Sequence, residues 1–210
     1  MITPDALGYL PETPSQTAGP FVHIGLIPRQ AGFDIFEHNL GTIALSPEIT
    51  GERIRIEGRI FDGTGAVMRD ALVEIWQADS FGRFNHPADD ASAPRDAQFR
   101  GWGRTGTDFE TGTWSFATIK PGRVARRHGE GSLAPHILVW IVARGINLGL
   151  LTRLYFDDEA AANAEDPVLR LIEQPERRRT LMARRVPGAD NTYVFDIHLQ
   201  GAEETVFFDV

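Results

Sequence analysis

The sequence predicts a mainly β protein, an antiparallel β-sandwich with short helical insertions and an irregular N-terminal arm. Three observations carry this expectation. Apolar and polar residues alternate over 53–60 and again over 193–199, the period of a strand with one buried face. Turn signals built from aspartate and glycine, at 62–65 and 108–112, separate β-type segments. A continuous apolar run over 137–143 has the length of a buried strand and is far too short to span a bilayer.

The elements follow in order. Residues 1–22 are rich in proline, threonine and glycine without a period, and read as an arm lying on something else. The body occupies about 45–210. RIRIEGRI places Ile54, Ile56 and Ile60 on one strand face, and Asp62-Gly63-Thr64-Gly65 turns the chain into a strand over 72–76. The 108–112 turn leads into TWSFATI, and LAPHILVWIVA follows with His136 at its mouth. A further strand is expected over 148–156, ended by Asp157, Asp158 and Glu159. Helices fall near 157–186. Asp166 can cap one with Pro167 at its first position, and Pro175 opens a second reaching Leu181 and Met182. TYVFDIHLQ and, after Gly201, ETVFFDV read as closing strands. No repeat or linker divides the chain, so 1–210 is expected to be one domain.

Composition narrows the function classes. The chain has 210 residues, 42% hydrophobic, enough for a full core. A net charge of −8 argues against nucleic acid and anionic membranes as partners. Lys120 is the only lysine, and cysteine is absent, which excludes thiolate metal sites and cysteine nucleophiles in this chain. The N-terminus lacks a basic cluster and a signal-type apolar core, so a cytoplasmic location is expected.

Candidate chemistry thins out on inspection. Gly101-Trp102-Gly103-Arg104-Thr105-Gly106 matches a dinucleotide fingerprint, but a hairpin turn follows where a helix is needed. No nucleophile elbow, H-E-x-x-H or phosphate loop is present. The 157–159 carboxylates can be a cation site or a solvated helix N-terminus, the second being the simpler reading. His136 raises a sharper question, because a strand ligand pair needs a partner two residues on, and that position is Leu138.

The segments LPETPSQTAGPF, EIWQAD, TIKPG, APHI, ARGIN, TRLYFDDEA and YVFDIHLQGAEETVFFD, in this order and over nearly the whole chain, resemble the intradiol dioxygenase family. The closest resemblance is to the α-type chains of its heteromeric members. It implies a β-sandwich and O2-dependent cleavage of 3,4-dihydroxybenzoate between its hydroxyls, giving 3-carboxy-cis,cis-muconate, at Fe(III) held by two tyrosines and two histidines. Hard phenolate donors suit ferric iron. At the matching positions this chain has Phe84, Val124, His136 and Leu138, so three of four cannot coordinate.

The resemblance therefore implies a catalytically incomplete chain, inactive alone and with no metal or catalytic residues of its own. Its partner would be a homologous iron-bearing β subunit, within a higher-order αβ oligomer. It implies further that Thr17, Gly19 and Pro20 of the arm line the substrate pocket, and that Arg144 faces it and attracts the substrate carboxylate. Read without it, the arm is a strap and Arg144 a solvated residue closing a strand. A non-catalytic interaction module, and a self-sufficient intradiol enzyme with unusual ligands, stay open.

Overall fold

Alternation decides the first strand. β1 (Arg53–Phe61) buries Ile54, Ile56 and Ile60 and turns Arg53, Arg55 and Arg59 outward. The computed structural model describes residues 14–43, 45–89, 95–126 and 130–209. Among them ten more strands follow: β2 (Leu72–Gln77), β3 (Trp102–Gly106), β4 (Thr113–Ile119), β5 (Val124–Ala125), β6 (Ser132–Leu133), β7 (His136–Val142), β8 (Leu150–Phe156), β9 (Met182–Arg185), β10 (Thr192–Val194) and β11 (Ile197–His198).

Nine of these strands form one sheet that doubles over into two layers. One layer holds β4, β1, β10 and β11; the other runs β8-β7-β2-β3, and β9 joins them by pairing with both β10 and β8. Ile54, Ile56, Trp114, Phe116 and Tyr193 of the first layer share one apolar cluster with Val73, Ile75, Ile137, Val139 and Ile141 of the second. The expected mainly β class with short helices is what the chain adopts.

The pairing, however, is mixed. β1 runs parallel to β10 and β11, and β8 runs parallel to β9, whereas the sequence led us to expect antiparallel pairing throughout. Parallel neighbours require long crossovers, which local turn signals do not report. The two turns were also misleading about partners. β1 pairs with β4, and β2 with β3 and β7, so each turn carries the chain from one layer to the other. Turn chemistry fixes a change of direction, not the strand that receives it.

Helices cover one end. Asp166 caps α3 (Pro167–Leu171) by accepting from Val168 N at 2.8 Å and Leu169 N at 3.0 Å, with proline at the first position as expected. α2 (Ala160–Glu165) precedes it, and the expected second helix is a 3-10 helix, Pro175–Leu181. The tail departs from expectation. After β11 only an isolated bridge, Leu151 to Phe208, replaces the strand expected in ETVFFDV. The arm ends sooner than expected, since Val22 already begins a short helix, α1 (Val22–Leu26), and its residues 1–13 lie outside the described residues.

Asp166 does more than cap. Fully buried, it also accepts from Ala134 N at 2.7 Å and from the Tyr155 hydroxyl at 3.4 Å. Asp166→Ala would strand several buried donors, each costing about 1–3 kcal/mol. We expect a loss of about 3 kcal/mol or more in urea unfolding at unchanged m-value.

Candidate functional site

Alternation along β7 sends Ile137, Val139 and Ile141 into the core and His136 and Leu138 to the opposite face. Leu138 is the cross-strand partner of Trp76, and Phe84 stacks on Trp76 with centroids 5.8 Å apart and planes 12° apart. Two residues before Phe84, Gly82 adopts a φ of 78° and lies so close to 123–124 that a Cβ there would sit 1.9 Å from the Arg123 carbonyl oxygen and 3.4 Å from Val124 Cα. Phe84, Val124, His136 and Leu138 thus share one neighbourhood, as the resemblance implies.

Its chemistry does not suit iron. Phe84, Val124 and Leu138 offer no lone pair. His136 is buried and donates from Nδ1 to the Ala134 carbonyl at 2.8 Å, which leaves its lone pair on Nε2. Burial pushes the imidazole down to about 4, and the Arg153 guanidinium adds to the shift. A cation that opposes a proton here opposes a metal ion for the same reason. Neither buried tyrosine substitutes for the missing phenolates. The Tyr155 hydroxyl is bound to Asp166, and burial raises its pKa. Tyr193 donates to Asp158 at 2.8 Å and is pushed up to about 12, again chiefly by burial. Among the described residues no group of three or more His, Cys, Asp or Glu is placed to hold a metal ion.

Two of the other histidines lie against aromatic rings. His198, expected at the surface, is half-buried and stacked on Phe61 at 4.7 Å; His23 packs edge-on to Phe109 at 4.8 Å. His128 lies outside the described residues, as does Tyr9. The 157–159 carboxylates stand at the start of α2, whose N-cap is Glu159, with Asp157 and Asp158 exposed, and they are paired as well. Lys120 Nζ sits 3.0 Å from Asp158 and 2.8 Å from Glu159, and Asp157 accepts from Arg185 N at 3.1 Å. Lys120, half-buried just after β4, joins them to that strand; sequence distance hid the pairing.

Of the second set of predicted residues, Thr17 and Arg144 meet at the other end of β7. Thr17 accepts from Gly145 N at 2.8 Å through Oγ1 and lies 3.4 Å from the Ala143 carbonyl, so the arm clasps the backbone on both sides of Arg144. Gly145 has a φ of 81°, a conformation that favours glycine. The Thr17 hydroxyl, expected to face substrate, is thus engaged by backbone. Gly19 and Pro20 are exposed, and nothing lies within 4 Å of where a Cβ on Gly19 would be. Arg144 pairs through Nε with Asp70 Oδ2. Sequence reasoning missed Asp70, which has no motif and lies far from Arg144 in the chain.

Arg144 and Asp70 line an open depression of about 610 Å³ together with Met68, Arg69 and Phe109. It joins two guanidinium groups to an apolar wall, a combination suited to an aromatic carboxylate. β7 has seven residues, so roughly 20 Å of strand, at about 3.3 Å per residue, separates His136 from the end that carries Arg144.

Comparison with known proteins gives the family and the fold. A family model described as Dioxygenase matches residues 36–201. The protocatechuate 3,4-dioxygenase alpha chain of Pseudomonas putida is 50% identical over 201 residues, covering 95% of this chain and 97% of the relative. The protocatechuate 3,4-dioxygenase beta chain of Burkholderia cepacia is 34% identical over 175 residues, covering 80% of this chain and 74% of its own. Among solved structures, 3-chlorocatechol 1,2-dioxygenase from Rhodococcus opacus 1CP superposes with a TM-score of 0.57 at 19% identity, over 90% of this chain and 67% of that one, and shares the fold.

His136 should titrate near pH 4 in the folded chain, against about 6.5 for an exposed imidazole. Between these values the unfolded chain binds the proton and the folded chain does not, so stability falls as pH drops from about 6.5 to about 4 and this group adds no further loss below. NMR of the ring protons reads the midpoint; a value near 6.5 would contradict the buried, neutral ring.

Proposed function

Because the chain belongs to the intradiol dioxygenase family, we propose that it serves as the alpha subunit of a protocatechuate 3,4-dioxygenase. It acts as one domain beside a homologous beta subunit that holds the ferric iron, within a cytoplasmic oligomer of αβ units. The assembly adds both atoms of O2 to 3,4-dihydroxybenzoate and opens the ring between the hydroxyls to 3-carboxy-cis,cis-muconate. This chain contributes no metal ligand. Its part is to hold the end of the substrate remote from the hydroxyls.

One observation supports this division most directly. Thr17 holds the backbone on either side of Arg144, which lines the depression, at the end of β7 away from the position the family would use for iron. A substrate gripped by Arg144 therefore meets a metal only if another chain brings it. The planar guanidinium fork matches a carboxylate, and binding it fixes which ring edge is presented to the iron. Gly19 and Pro20, exposed on the same arm, are left free to meet the partner or the substrate. Apolar surface supports a partner as well: Phe21 is 73% exposed and Ile35 67%, with Phe33, Phe36 and Leu40 also uncovered. Among the described residues no helix is long and apolar enough to cross a membrane.

Two measurements test the reading. This chain purified alone should carry no stoichiometric iron and consume no O2 with 3,4-dihydroxybenzoate, while its co-expressed complex with a beta chain does both. Stoichiometric ferric iron in the lone chain would refute the reading. In that complex, Arg144→Ala should raise KM about tenfold, the equivalent of about 1.4 kcal/mol of charge-assisted pairing, with iron content unchanged. Unaltered kcat and KM would remove Arg144 from the pocket.

A further inference from the structure

We infer that Asp70 is a positioning residue for Arg144 and sets the preference of the site for a carboxylated ring. The inference rests on the proposed role of Arg144 and adds the group that aims it. The Arg144 side chain is 60% exposed, and an exposed arginine is spread over many rotamers unless something holds it. Asp70 is 17% exposed and sits on fixed backbone. The next residue, Ala71, is buried, receives Thr107 N at 2.9 Å and donates to Thr107 Oγ1 at 3.1 Å, and Leu72 beyond it pairs with both Gly106 and Val142.

The geometry gives each part a task. Thr17 fixes the backbone on either side of Arg144, and Asp70 fixes the side chain by its Nε edge. Among the described residues Arg144 has no acceptor other than Asp70, so the rest of the fork is left for a ligand. A carboxylate partner would ordinarily weaken the attraction of an arginine for an anion. Here Arg69 lines the same depression, and the Asp62 carboxylate is taken up by Thr64 and Ala66, so the lining is electrically balanced, not negative. Pre-aiming lowers the rotamer entropy lost on binding, which is where a fixed guanidinium outperforms a free one.

The test uses the complex of this chain with a beta chain, comparing 3,4-dihydroxybenzoate with catechol, which lacks the carboxylate. Asp70→Asn should raise KM for 3,4-dihydroxybenzoate three- to tenfold, leave kcat within twofold and leave KM for catechol unchanged. In an Arg144→Ala background the same substitution should have no further effect, because its target is gone. Asp70→Glu should recover part of the loss. Equal changes for both substrates, full additivity with Arg144→Ala, or a lowered KM for the carboxylate would each overturn the inference, the last by showing Asp70 to compete with substrate. An effect of Arg144→Ala without one of Asp70→Asn sinks this inference alone. No effect of Arg144→Ala sinks the proposed role of Arg144 and this inference with it. Thermal melting of each complex separates a folding defect from a kinetic one, and if Asp70→Asn fails to assemble, Asp70→Glu decides: KM raised for the carboxylate alone supports positioning, and KM unchanged or raised equally for both substrates refutes it.

Discussion

Donors from three places in the chain converge on one buried carboxylate. Asp166 receives the first turn of its own helix, the backbone of Ala134 before β7, and the hydroxyl of Tyr155 on β8. A charge taken out of water must find such partners, and the constraint works in both directions. It obliges the helices to stand over this end of the sheet, and it fixes the approach to β7. The Ala134 carbonyl in turn accepts from Nδ1 of His136, so the tautomer of that ring is tied to the residue that the helix cap holds. The apolar rings and the guanidinium around it are held by the same frame.

The two ends of β7 divide the work. One end sets His136 and Leu138 beside the stacked rings of Trp76 and Phe84; the other carries the arginine, the Thr17 contact and the open depression. The strand between them is core on one face, with Ile137, Val139 and Ile141 fully buried, so it acts as a strut whose ends keep their separation. A site distributed between homologous chains needs a strut of this kind. Each subunit can then lose or keep chemistry at one end without disturbing the other.

Much of this was legible in the sequence, for identifiable reasons. The strand faces of Ile54, Ile56 and Ile60 follow from alternation alone, and the Asp166–Pro167 start of α3 follows from capping chemistry. Once the resemblance marks Phe84, Val124 and Leu138, their inability to coordinate follows because phenyl, isopropyl and isobutyl groups hold no lone pair. What could not be read were relations between distant residues. The pairing of β1 with β10 and β11, the grip of Lys120 on Asp158 and Glu159, and the contact of Asp70 with Arg144 all join segments that carry no mutual signal. Thr17 shows the same limit at finer scale. Nothing in the sequence reports the engagement of its hydroxyl by Gly145.

The Thr17 clasp has a consequence in the language of linkage. A bond between residues 128 apart in sequence couples the order of the arm to the conformation of the turn that bears Arg144. Such coupling is reciprocal: whatever seats the arm sharpens the turn, and whatever occupies the turn holds the arm down by the same free energy. A neighbouring subunit that grips the arm is thereby informed of a small anion that it never touches.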